Sequence, residues 1–225
     1  MAQALGEVLP LAVAIAIFPV PIIAAVLLVG SEHGRTKGVV FVLAWLVGLD
    51  AVGAVVLLFA GGVDATDDGE PATWANVLLL LLGLALLAYA IKQWRGRPGA
   101  GEESPTPGWM RTLDDFTPLK AAGAGFALTV LNPKNLLLTV AAATEIAELG
   151  LRSGEQAAVL AVFVLVASLG VLGPVAAALV LGERSRDALD GLRHWMARNN
   201  ATIMTVLFLL IGAKLVGDAI SGFSG

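Results

Sequence analysis

The sequence predicts an all-α integral membrane protein whose six transmembrane helices form an inverted 3+3 repeat, with the first and fourth helices broken at proline. Three observations predict it. The 225 residues are 57% hydrophobic and 14% charged, with a mean hydropathy of +0.84, whereas soluble domains carry about 25% charged residues. The chain offers six apolar stretches, each near the ~20 residues a helix needs to cross hydrocarbon. Short motifs in the first three stretches recur in the last three at matching offsets.

The spans fall near 5–29, 38–61, 74–94, 120–143, 156–181 and 201–221. The first lacks a preceding basic stretch and is longer than the apolar core of a cleaved leader, so it reads as a span. It is interrupted by Phe18-Pro19-Val20-Pro21. After the second comes an acidic loop with Asp64, Asp67, Asp68 and Glu70. Beyond the third, residues 96–108 form a Gly/Pro/Glu-rich linker. Trp109 to Phe116 then reads as a short interfacial anchor. The fourth span is broken at Leu131-Asn132-Pro133-Lys134. Loop charge gives the orientation: Arg35, Lys37, Lys92, Arg95, Arg97, Arg111, Lys120, Arg184, Arg186, Arg193 and Arg198 belong to the first, third and fifth loops, and the second and fourth hold only Arg152. Basic loops stay cytoplasmic, which puts both termini outside. The chain thus divides into a first three-helix repeat (1–95), a linker (96–118) and a second repeat (119–225).

Three spans per half force the second half to enter the membrane upside down, so a repeat must be inverted. Leu81-Leu82-Gly83-Leu84-Ala85-Leu86, running on to Ala90-Ile91, matches Leu210-Ile211-Gly212-Ala213-Lys214-Leu215, running on to Ala219-Ile220. Gly48-Leu49-Asp50-Ala51-Val52-Gly53 lines up with Ser168-Leu169-Gly170-Val171-Leu172-Gly173. The glycines themselves suit close helix packing, and their faces allow a homodimer.

Ionisable side chains inside spans are costly and so point to function. Asp50 lies 13 residues beyond Lys37, about 20 Å along a helix and near mid-membrane. Lys134 reaches a similar depth in the fourth span, which points to a pair or a shared polar cavity with Asp50, with a purely structural ion pair as the alternative. Asn132, Lys134 and Asn135 cluster around Pro133, and Pro19 and Pro21 interrupt the first span at the matching point. Broken helices expose backbone dipoles at substrate or ion sites. The candidate binding set is therefore Asp50, Asn132, Lys134 and Asn135, with Pro19, Pro21 and Pro133 as helix breaks and Asp50 as a proton or cation carrier. Lys214 and Asp218, four residues apart on one helix face, form either a structural pair or an outer gate. Glu7, Glu145 and Glu148 mark the outer water boundary.

Other chemistry is excluded by omission. The chain has no cysteine and no histidine within a span, so no metal or cofactor is expected. It contains no Walker lysine motif or Gly-x-Ser-x-Gly elbow, and no nucleophile accompanies the midplane charges, so an enzyme is not expected. The basic residues form no single face for nucleic acid.

Six spans, a first helix broken by Pro-x-Pro and a fourth with Asn-Pro-Lys resemble the lysine-exporter (LysE/RhtB-type) superfamily. Within it the chain is most similar to the GAP family, the glycopeptidolipid or peptidoglycolipid addressing proteins. The passages that carry the likeness are Leu9-Pro10-Leu11, Pro19-Val20-Pro21, Lys92 to Pro98, Phe116-Thr117-Pro118, Asn132 to Leu138, Arg198-Asn199-Asn200 and Lys214 to Asp218. Amino-acid exporters of the superfamily usually show Pro-Gly-Pro, and here the middle residue is Val20. The resemblance implies a multi-pass protein of the bacterial plasma membrane, in contact with membrane lipids, that moves an envelope (glyco)lipid or a small polar solute outward, coupled to protons or another cation. The alternatives are a membrane scaffold for envelope-lipid export and a small amino-acid or cation exporter.

Overall fold

The computed structural model describes residues 2–62, 66–67, 70–71, 73–97 and 116–224. Most of the acidic loop, the linker and the interfacial segment from Trp109 lie outside these residues. The described chain is helical apart from a two-residue antiparallel ladder, Thr66–Asp67 against Glu70–Pro71. The helices are α1 (Ala2–Ala16), α2 (Pro19–Gly30), α3 (Gly34–Gly62), α4 (Thr73–Arg95), α5 (Pro118–Val130), α6 (Pro133–Glu148), α7 (Ser153–Leu181) and α8 (Arg186–Ser224).

Every predicted stretch is helical, and the two proline breaks are real bends: α1 meets α2 at 51° and α5 meets α6 at 59°. Among the described residues three helical runs are long and apolar enough to cross a membrane, or five when each bent pair counts as one span. One of the three, Ser153–Phe223, is 71 residues long, about 107 Å at helical rise. It is divided at Gly182, whose φ of 54° with ψ of −130° favours glycine, by a short 3-10 turn between α7 and α8.

Two segments depart from the expected boundaries. Residues 186–200, expected as loop, are the first turns of α8. Their charges are spaced for helix, with Arg186 paired to Glu183 and Arg193 to Asp190 at i,i+3. The fourth span continues past residue 143 to Glu148, which draws Glu145 inside the bundle.

The helices pack in matched pairs. α3 runs along α5 as α1 runs along α7; α3 meets α6 as α7 meets α2; α4 runs along α8, and α3 crosses α7. α1 packs along α6, whereas α2 and α5 barely touch. The core holds Phe41, Trp45, Phe163 and Phe208, all fully buried. Glycines set the closest crossings. A Cβ on Gly125 would strike the Phe41 carbonyl of α3, and one on Gly170 the Ala16 carbonyl of α1. Gly83 and Gly212 face each other, and a Cβ on either would lie 3.0 Å from the other's carbonyl oxygen.

Alanine substitutions should therefore split in sign. Gly125→Ala and Gly170→Ala push against backbone and lower stability by about 1–3 kcal/mol. Gly123 and Gly173 have open space around the same position, so alanine there is neutral or stabilises by up to ~1 kcal/mol. Thermal unfolding of the purified protein in detergent measures the difference.

Candidate functional site

Proline cannot donate a backbone hydrogen bond, so each mid-span break must replace what it removes. At the second break Asn132 has extended φ/ψ and its side chain accepts from the Lys134 backbone N–H at 3.1 Å, capping α6. Asn135 is fully buried, and its Nδ2 donates to the Leu128 carbonyl of α5 at 2.7 Å. That bond serves a carbonyl that the broken ladder would otherwise leave open. At the first break Phe18 is extended, Pro19 occupies the first turn of α2, and the Phe18 N–H is held by the Ile15 carbonyl at 3.2 Å.

The two breaks share one cavity of about 490 Å³. Phe18 to Pro21 line one wall and Leu131 to Lys134 the other, and α5 and Met204 complete it. Lys134 is the one charged residue of that lining. Its Nζ lies 5.6 Å from the centre of the Phe208 ring, which also packs edge-on against Phe18 at 5.8 Å and beside Tyr89 at 6.0 Å. Lys134 forms no ion pair among the described residues. The N-termini of α2 and α6 both begin at this cavity, so their partial positive charge adds to the ammonium.

Asn132, Lys134 and Asn135 are thus brought together, with Pro19, Pro21 and Pro133 around them. Asp50 is not. It is exposed on the face of α3 that carries the exposed Leu43 and Val47, away from the cavity and without an ion pair. The expected pair or common cavity with Lys134 does not form, because Asp50 has the right depth on the wrong side of its helix.

A second constellation lies near the free ends of α1 and α8. The Lys214 Nζ contacts Glu7 Oε2 at 3.0 Å, Glu145 Oε1 at 2.9 Å and Asp218 Oδ2 at 2.7 Å, tying α8 to α1 and α6. The Glu145 side chain is 5% exposed, against 40% for Glu7 and 39% for Asp218. Glu145 Oε2 and Glu148 Oε1 are both buried with no hydrogen-bond partner. Glu145 was expected at the water boundary; the extra turns of α6 bury it instead. No group of acidic residues with metal-binding geometry occurs among the described residues.

Comparison with known proteins adds a family. The family described as Sap, sulfolipid-1-addressing protein, matches residues 8–221, nearly the whole chain. The chain belongs to the Sap family. No curated protein and no solved structure matches it. Both proline breaks, the cavity and the Lys214 junction apart from Glu7 fall inside the Sap-matched region. The likeness to lipid-addressing proteins seen in the sequence is met by the Sap family.

Sequence reasoning missed the aromatic floor, Phe18 and Phe208, and the linkage of Glu7 and Glu145 to Lys214. The available signal was Glu145 itself, an acid within a mostly apolar stretch from Leu136 to Ala147 whose other polar residues are Thr139 and Thr144. Replacing Lys214 with Met should destabilise the Sap-family chain by about 3–5 kcal/mol near neutral pH, since it strands buried charge. The loss shrinks as pH falls, because the abandoned carboxylates then take up protons. Thermal unfolding of Lys214→Met across pH, with Lys214→Met/Glu145→Gln recovering part of the loss, checks this.

Proposed function

We propose that the chain is a secondary exporter of the bacterial plasma membrane that moves an anionic envelope (glyco)lipid outward through the cavity between its two broken helices. The observation that carries this reading is the convergence of both proline breaks on one largely apolar cavity with Lys134 as its lone charge. Apolar walls suit acyl chains, and an ammonium beside two helix N-termini suits an anionic head. That lining favours an amphiphile over a small polar solute or an amino acid. The family description names a sulfolipid, an amphiphile with an anionic group.

In this reading α7 and α8, divided at Gly182, are separate spans, giving six in two inverted repeats: α1 to α4 and α5 to α8. The paired packing of corresponding helices supports it, and so does the contact of Gly83 with Gly212. Those two glycines match in the sequence repeat, and equivalent residues that touch lie on a two-fold axis. Basic residues gather at the C-terminal end of α4 and the start of α8, which makes that end cytoplasmic and the Lys214 end external.

Inverted repeats also suggest how access alternates. On the external side α1 is closed on α6, with Lys214 holding Glu7 and Glu145. On the cytoplasmic side the equivalent helices α5 and α2 are apart, and the cavity lies between them. Exchanging the two arrangements would close the cavity inward and open it outward, with Lys214, Asp218 and their partners as the outer gate.

In a deletion strain, Lys134→Ala should lower export of the surface lipid by about tenfold or more, the effect of losing a charge-assisted contact of ~1.5–3 kcal/mol. Asp50→Asn, outside the cavity, should restore export. Mass spectrometry of surface-extractable lipids reads both. Full restoration by Lys134→Ala would instead favour a scaffold for envelope-lipid export.

A further inference from the structure

We infer that Glu145 is a proton-binding site that locks the external closure, taking up one proton when α1 and α6 are packed together and releasing it to the external water when they separate. This rests on the exporter reading above. It assigns a role to a residue outside the substrate cavity and gives the coupling proton to Glu145 rather than Asp50.

The argument begins with charge. Four carboxylates, Glu7 on α1, Glu145 and Glu148 on α6 and Asp218 on α8, surround a single ammonium, Lys214. Among the described residues α3, α4 and α7 add no ion pair to Glu145. Fully ionised, the group would carry three uncompensated negative charges in a partly buried junction, and like charges so close cannot all persist. One of them must be neutral.

Hydrogen bonding says which. A buried carboxylate oxygen that has lost water and found no donor is costly. Glu145 Oε2 is in that position, on a side chain 95% buried, while Oε1 is held by Lys214. A proton on Oε2 turns that unpaired acceptor into a hydroxyl and removes the surplus charge. No group of side chains that could hold a metal ion occurs among the described residues. Glu7 and Asp218, each with a side chain about 40% exposed, share the Lys214 ammonium with Glu145, which places water at the edge of the cluster. The proton enters from that water to Oε2 and leaves by the same route.

The consequence is mechanical. With Glu145 neutral, Lys214 holds α1 through Glu7 while its own helix keeps Asp218. When the proton leaves, a charged carboxylate with one unpaired oxygen is stranded in the packed α1–α6 contact, and separating the helices lets water reach it. The closed form is thus favoured by acid on the external side and the open form by alkali.

The chain has no cysteine, so one introduced thiol is a unique reporter. Ala142 is fully buried on α6, three residues before Glu145. In the full-length Ala142→Cys protein in oriented membrane vesicles, a membrane-impermeant maleimide applied from outside should label faster as external pH rises. Each rate is divided by that of an exposed Gly154→Cys control at the same pH, so that the ionisation of the thiol itself cancels. The slope should approach tenfold per pH unit on the acid side, as for a one-proton equilibrium. Adding Glu145→Gln, a permanent neutral isostere, should leave labelling slow at every pH. Labelling of Ala142→Cys alone that does not rise with pH overturns the proposal, as does an unchanged profile with Glu145→Gln. Should the Gln form not insert, Glu145→Asp must retain the pH dependence, and its loss there also overturns the proposal. No lipid is needed for this measurement, so it separates from the export test. Normal export by Lys134→Ala sinks the exporter reading, whereas a flat labelling profile sinks the proton site alone.

Discussion

Lipid offers no hydrogen bonds, and the structure depends on that constraint at two places, Pro19 and Pro133. A proline in the middle of an apolar helix forfeits a backbone bond that nothing in the bilayer replaces. The chain answers differently at each break. At Pro133 it spends two amide side chains, Asn132 to cap α6 and Asn135 to reach back to the Leu128 carbonyl. At Pro19 it uses a tighter backbone bond from Phe18 to Ile15 and packs Phe18 on Phe208. Satisfied in this way, the breaks become stable bends of 51° and 59°. The bends part the helices enough to leave a cavity at their meeting point, with the start of α2 and of α6 turned toward it.

A bundle of two similar halves need not be symmetric at any instant. Most helix pairs here have their counterpart, so the failure of one correspondence is informative. α1 closes on α6 with an ionic junction, and α5 does not close on α2. The junction offsets the cost of bringing acids together, and the open side needs no such offset because apolar side chains line it.

Depth along a span was legible in the sequence; direction around the helix was not. Hydropathy located all the helices, and the prolines located both bends within a residue. Asp50 and Lys134 were expected to share a pair or cavity, yet Lys134 lines the cavity and Asp50 is exposed on the side of α3 with Leu43 and Val47. In water the polar face of a helix tells its orientation, but in lipid both the packed and the exposed faces are apolar, and the pattern carries little azimuth. The boundaries that failed did so for a related reason. The charged residues 186–200 looked like loop, although their i,i+3 ion pairs suit helix equally, and Glu145 looked like the edge of water because an acid so deep lacked a visible partner. The partner, Lys214, is 69 residues away in sequence.

Helix α6 joins these two sites, and its charges oppose its own dipole. Lys134 sits at the positive N-terminal end and Glu145 near the negative C-terminal end, about 16 Å apart at helical rise. Each placement is unfavourable for an isolated helix and calls for a compensating group from elsewhere. Glu145 has Lys214. Among the described residues Lys134 has no ion pair and lies near the face of the Phe208 ring, so under the exporter proposal an anion in the cavity would supply the compensation at that end. An anion at Lys134 and a proton at Glu145 would then act on the same rigid rod from its two ends. Any difference in how the closed and open forms hold the one is felt by the other, which is the thermodynamic requirement for coupling. Neither site needs to touch its counterpart for substrate arrival on one side to alter proton affinity on the other.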